Sequence, residues 1–137
     1  MQTILSKVEQ FYQTEDFTNA NALISKHFTA DLSGRTKAES IFNSNLAGLL
    51  VDLAELAKTQ IKPNDKDNLF REFDELLTSV IGYFKKNIGV LESLYGLGST
   101  HYNLANAIST LLDYRRRVNP KLLNPELGEL LVESKRH

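Results

Sequence analysis

Residues 36–63 carry the clearest helical pattern in the chain and read TKAESIFNSNLAGLLVDLAELAKTQIKP. Thr36 followed by Glu39 is a capping-box signature, which predicts that a helix begins here. Pro63 has no backbone N–H to donate and disfavours helical geometry at the residue before it. The sequence therefore predicts one long helix that ends near Pro63.

The apolar face of this long helix is broad. Its apolar side chains recur at helical spacing, at Ile41, Phe42, Leu46, Leu49, Leu50, Leu53, Leu56, Ala57 and Ile61. At about 100° per residue they leave a polar sector of about 140°, which contains Ser44, Asn45, Gly48, Asp52, Glu55 and Thr59. A surface helix needs an apolar stripe only somewhat wider than about 100°. We therefore expect this helix to be central and contacted from two sides, either by helices of the same chain or by a second copy of it.

Apolar residues at helical spacing predict further helices on both sides of the long one. A first helix covers about residues 2–13, and a short second helix follows with Thr18 as its cap. After the long helix, Asn64 or Asp65 can cap a strongly amphipathic helix. A last short helix opens at Asn124, where an asparagine precedes a proline at the first helical position.

Glycines interrupt the helical pattern in the second half of the chain. Gly89 and the run 96–98, which reads Gly-Leu-Gly, predict a break because glycine adopts backbone angles that other residues avoid. The apolar residues between them form a short helical turn or an apolar lid. Ser99 or Thr100 then caps a fifth helix, which extends to Val118.

Length and composition agree with this pattern. The 137 residues correspond to one domain, residues 1–137, and 42% hydrophobic with 24% charged residues is typical of globular proteins. The predicted fold is all-α, a single compact bundle of five to six helices around the long central helix. The first residues lack the basic start and apolar core of a secretory signal, and no apolar run reaches the roughly 18 residues of a membrane span. We therefore expect a cytoplasmic protein.

Several kinds of chemistry are disfavoured by the residue types present. The chain has no cysteine, which excludes disulfides, thiolate nucleophiles and zinc–thiolate sites. His27, His101 and His137 are not spaced as metal ligands, and the glycines at 96–98 lack the Lys-Ser/Thr pair of a phosphate-binding loop. We therefore expect neither a metal nor a cofactor.

Positive charge is concentrated in one part of a chain whose net charge is only −1. Residues 85–121 carry two acidic side chains and six basic ones, namely Lys85, Lys86, Arg115, Arg116, Arg117 and Lys121. Cations near a helix C-terminus interact favourably with the helix dipole, but four within seven residues exceed what that role requires. Arginine grips phosphate or carboxylate with two parallel hydrogen bonds. These residues therefore predict docking on an anionic partner, either a nucleic-acid backbone or an acidic protein.

The leading functional hypothesis is a non-catalytic interaction or assembly subunit that binds a protein partner, a second copy of itself or a nucleic-acid backbone. In size and class the chain is similar to the small helical subunits that line nucleic acid in CRISPR effector complexes. An alternative is a helical nuclease or toxin-type enzyme with a pocket formed by Tyr95, His101 and Tyr102. A third hypothesis is an immunity or antitoxin-like protein that binds a basic partner through acidic residues at 65–75.

Overall fold

The structure is a computed structural model that describes residues 2–62 and 69–118. Over these residues it contains no strand and six helices: α1 (Gln2–Gln13), α2 (Phe17–His27), α3 (Lys37–Ala57), α4 (Leu69–Lys86), α5 (Ile88–Tyr95) and α6 (Leu97–Val118). The prediction of an all-α fold is confirmed, and the helices form a compact bundle. None of the described helices combines the length and the apolar character that a bilayer crossing requires.

The N-terminus of α3 has the predicted capping box. The Thr36 side chain accepts a hydrogen bond from the Glu39 N–H at 3.1 Å, and the Glu39 carboxylate accepts one from the Thr36 N–H at 3.1 Å. Two of the backbone donors that a helix start leaves without partners are thereby satisfied. These bonds lower the pKa of Glu39.

The C-terminus of α3 differs from the prediction, because the helix ends at Ala57 and not near Pro63. The N–H groups of Gln60 and Ile61 both donate to the Ala57 carbonyl at 2.9 Å, which closes a tight turn. This turn directs Ile61 into the core, where its side chain is buried. The turn therefore replaces the last residues of the predicted helix and still leaves Ile61 buried, as expected from its place on the apolar face.

Two other predicted boundaries were wrong. Asp16 caps α2 in place of Thr18, since its carboxylate accepts hydrogen bonds from both the backbone and the side-chain N–H groups of Asn19. Gly89 lies inside α5, whose N-cap is Asn87, so residues 90–95 belong to a complete helix.

The start of α6 also differs from the prediction. The helix begins at Leu97, before Ser99 and Thr100, because the break is confined to Gly96 at a φ of 90°. The predicted caps at Asn64 or Asp65 and at Asn124 lie outside the described residues.

The central position predicted for α3 agrees with its contacts, since it packs against α1, α2, α4 and α6. The most extensive contact between described helices joins α4 to α6. These two helices are antiparallel, because Arg115 near the end of α6 contacts Asp74 in the first half of α4. An aromatic cluster lies where α2, α4 and α6 meet, formed by Phe17, Phe70, Phe73 and Tyr114.

Two buried asparagines hold the chain between α2 and α3 against the bundle. The Asn43 amide exchanges two hydrogen bonds with the backbone of Thr29, at 2.8 and 2.9 Å. The Asn87 amide accepts from the Leu32 N–H at 3.3 Å and donates to the Ala30 carbonyl at 2.9 Å. Because these backbone groups are thereby satisfied, the loop packs tightly and Leu32 is buried.

Candidate functional site

The C-terminal end of α6 is anchored in the core by Tyr114. The Tyr114 hydroxyl donates to the Ala54 carbonyl at 2.8 Å, and its ring lies 4.7 Å from the ring of Phe70 between centroids. Burial raises the pKa of this phenol well above its usual value. The residues that follow Tyr114 therefore project from a fixed helix end.

The three arginines after Tyr114 have different environments. The Arg115 Nε lies 3.4 Å from Asp74 Oδ2, and the side chain is only 22% exposed. Arg116 and Arg117 are exposed, and neither forms an ion pair with a carboxylate of residues 2–62 or 69–118. Two of the three predicted arginines are thus exposed, and the third joins α6 to α4.

Asp113 is the acidic residue closest in sequence to these arginines, and it forms an ion pair with Lys58. Asp113 Oδ2 lies 3.2 Å from Lys58 Nζ, which also contacts Glu55 Oε2 at 2.8 Å. Glu55 in turn accepts a hydrogen bond from the Thr110 hydroxyl. Burial alone would raise the pKa of Glu55, but the bonds from Lys58 and Thr110 lower it. The side chains of Glu55, Lys58, Thr110 and Asp113 therefore form one network that joins the C-terminal end of α3 to α6.

The structure does not bring the predicted lysines next to the arginines. Lys86 lies at the opposite end of α4 from Asp74, twelve residues or about 18 Å along the helix. Its Nζ is 3.3 Å from Asp31 Oδ2. Hydrogen bonds from Ser33, followed by the contact with Lys86, lower the pKa of Asp31 to about 2. Lys85 is exposed at the same end of α4, and Lys121 lies outside the described residues.

His101 and the two tyrosines predicted beside it are placed differently. His101 Nε2 lies 3.1 Å from Glu92 Oε1, which links α6 to α5. Tyr95 and Tyr102 instead line a cleft of about 750 Å³ that is bounded by α1, α3, α5 and α6, and His101 is not among its lining residues. The structure therefore brings Tyr95 and Tyr102 together and leaves His101 in a contact of its own.

The floor of this cleft was not predicted from the sequence, although a signal for it was present. Asn45, Gly48 and Asp52 line the cleft and all belong to the polar sector of α3. A polar sector on a central helix indicates a face that neighbouring helices leave uncovered. The sequence does not show which helices flank that face, so the pattern alone could not reveal a cleft.

The predicted acidic surface is only partly described. Asp65 and Asp67 lie outside the described residues, and Asp74 contacts Arg115. Glu72 and Glu75 are exposed on α4. Of the acidic residues predicted at 65–75, the described ones are thus two exposed glutamates and one aspartate that pairs with Arg115.

The fold is a helical bundle that carries two candidate sites, the arginine end of α6 and the cleft over α3. In the part of the chain that the structure describes, no three His, Cys, Asp or Glu side chains are grouped so that they could hold a metal ion. Comparison of the chain with protein-family models, with curated proteins and with solved structures gives no match.

Proposed function

We propose that this protein is a non-catalytic helical interaction subunit whose α6 end docks on the phosphate backbone of a nucleic acid within a nucleoprotein complex. The observation that carries the proposal is the exposure of Arg116 and Arg117, which form no ion pair with a described carboxylate. Lys121 follows in the sequence and adds a further positive charge in the same segment. We also propose a cytoplasmic location.

The local environment supports phosphate as the ligand of these arginines. A guanidinium is planar, always charged and able to donate two parallel hydrogen bonds to phosphate. Because Tyr114 and Arg115 hold the helix end in place, Arg116 and Arg117 dock with little loss of backbone freedom. The overall charge of −1 gives no general attraction to nucleic acid, so binding depends on this end of the molecule.

Removing both arginines, by Arg116→Ala with Arg117→Ala, is expected to weaken binding to a short fluorescent RNA at least about tenfold. The reason is that each arginine loses a charge-assisted contact with phosphate. Fluorescence anisotropy at fixed ionic strength measures the effect. Both side chains are exposed, so the melting temperature should change little.

A matched control removes the same charge elsewhere. Lys7 and Lys26 are exposed on α1 and α2, and replacing both with alanine lowers the net charge equally. The control variant should bind the RNA nearly as well as the wild-type protein. Equal losses in the two double variants would attribute binding to net charge and contradict docking at α6.

Binding through the acidic surface of α4 would give the opposite pattern. Neutralising Glu72 and Glu75 with glutamine would then abolish binding to a basic protein partner, while the arginine variant would bind it normally. Docking at α6 predicts that the two glutamine substitutions leave RNA affinity unchanged or slightly higher, because they remove negative charge.

A further inference from the structure

We infer that the cleft between α1, α3, α5 and α6 binds a small organic cation, namely an amine with an apolar body. This site is separate from the arginine end of α6 and does not depend on the function proposed above. The inference follows from the shape of the cleft, the charge of its walls and lining side chains that have no partner among residues 2–62 and 69–118.

The shape of the cleft follows from how the helices pack. Both α1 and α6 contact α3, but these two described helices do not contact each other. The outer face of α3 is therefore left as a floor between two walls, and Leu91 and Tyr95 of α5 contribute to the lining. A volume of about 750 Å³ falls within the roughly 300–1,000 Å³ typical of sites for small molecules.

The size of the cleft favours a small molecule over a protein segment. On α3 the lining extends over nine residues from Ser44 to Asp52, a rise of about 12 Å. A stable protein interface buries about 800 Å² on each partner, which is much more than a cleft of this length offers.

The charge of the cleft is negative. Glu9 and Asp52 line it, and none of its described lining residues is a lysine, an arginine or a histidine. Neither carboxylate forms an ion pair or a side-chain hydrogen bond within residues 2–62 and 69–118. Glu55, one turn along α3 from Asp52, contrasts with them because it contacts both Lys58 and Thr110.

Asp52 lies on the α3 floor of the cleft, where its side chain is exposed and no described donor contacts its carboxylate. Partial desolvation and the nearby charge of Glu55 raise its pKa. An ammonium group placed beside Asp52 would stabilise the ionised form.

The remaining lining suits the body of an amine. Tyr95 and Tyr102 are exposed at the cleft and present aromatic rings, to which organic cations are attracted. Asn45, Asn103 and Asn106 also line it, and these exposed side chains have no hydrogen-bond partner among the described residues. Apolar side chains from Leu5, Leu49 and Phe84 complete the walls.

The direct test compares three ligands of similar shape and different charge: phenethylamine, 2-phenylethanol and 3-phenylpropionate. Binding is followed by NMR shifts of the side-chain amides of Asn45, Asn103 and Asn106, and spermidine serves as a second amine. We expect the amine to bind about tenfold more tightly than the alcohol, and the carboxylate to bind most weakly. Equal affinity for phenethylamine and 2-phenylethanol overturns the proposal, as does the absence of shifts with both amines.

Two variants assign binding to the cleft. Asp52→Asn should remove most of the preference for phenethylamine over 2-phenylethanol, because the amide carries no charge. Gly48→Leu should block the site, since a Cβ at this position meets no atom within 4 Å and the new side chain enters open space. If phenethylamine binds both variants as tightly as the wild-type protein, the site is not the one proposed.

The matched control for the blocking variant is Gly82→Leu on α4. Gly82 is also an exposed helical glycine with open space around its Cα, but it does not line the cleft. Both leucine variants should melt no lower than the wild-type protein, because leucine favours helix over glycine. Only Gly48→Leu should lose phenethylamine binding, and equal losses in the two variants contradict the assignment.

Discussion

Replacing Phe73 with alanine is expected to lower the free energy of unfolding by about 3–5 kcal/mol, the largest effect that we predict for a single substitution. Phe73 is fully buried, and its ring lies 6.4 Å from that of Phe17 and 5.7 Å from that of Tyr114, between centroids. The substitution removes packing where α2, α4 and α6 meet and leaves a cavity. Urea denaturation followed by circular dichroism measures the loss.

A loss of this size is a large fraction of the total stability, which for a single domain is about 5–15 kcal/mol. Tyr102→Ala provides the control, since this aromatic side chain is 65% exposed and its removal should change the stability by no more than about 0.5 kcal/mol. A loss below about 1 kcal/mol for Phe73→Ala would contradict the packing described for the aromatic cluster.

The second large effect is expected at Asn87, where replacement by leucine should destabilise the protein by about 2–4 kcal/mol. Its amide accepts from the Leu32 N–H and donates to the carbonyls of Ala30 at 2.9 Å and Tyr83 at 2.8 Å. Leucine has a similar branched shape but cannot form these bonds, so buried backbone groups would lose their partners. Chemical denaturation measures the difference.

The same substitution at Asn21 is expected to have the opposite sign. Asn21 is buried on α2, and neither its side-chain nitrogen nor its side-chain oxygen has a hydrogen-bond partner in the described part of the chain. Asn21→Leu should therefore raise the free energy of unfolding by about 1–2 kcal/mol, because it removes a polar group that burial disfavours. If both asparagines respond with the same sign, hydrogen bonding does not distinguish the two sites.

Those features of the fold that depend on nearby residues could be predicted from the sequence. The capping box at Thr36 and Glu39 needs only two side chains three residues apart, and it is present as predicted. The broad apolar face of α3 indicated a central helix, and four helices pack against it.

Features set by distant contacts were missed. The helix break was assigned to Gly89, but it occurs at Asn87, whose amide bonds to Ala30 and Leu32 more than fifty residues away in sequence. The cap of α2 was assigned to Thr18, although Asp16 is also a residue type that favours this position. Sequence alone gives no way to choose between two good caps so close together.

In the candidate sites, too, features set by nearby residues could be predicted and features set by distant contacts could not. Sequence identified the run of cations, but it could not show that Arg115 contacts Asp74 from a different helix. Because α4 and α6 are antiparallel, Lys86 lies far from the arginines although both were counted in one basic segment. The cleft likewise depends on the spacing of α1 and α6 around α3, which the polar sector of α3 does not reveal.

Docking of Arg116 and Arg117 on phosphates is tested most directly by the salt dependence of RNA binding. Each phosphate contact on a single strand contributes about 0.7 to the slope of log affinity against log salt concentration. We predict that Arg116→Ala with Arg117→Ala reduces the magnitude of that slope by about 1.4, while the Lys7 and Lys26 control variant keeps the wild-type slope. An arginine variant that retained the full wild-type slope would show that these side chains contact no phosphate.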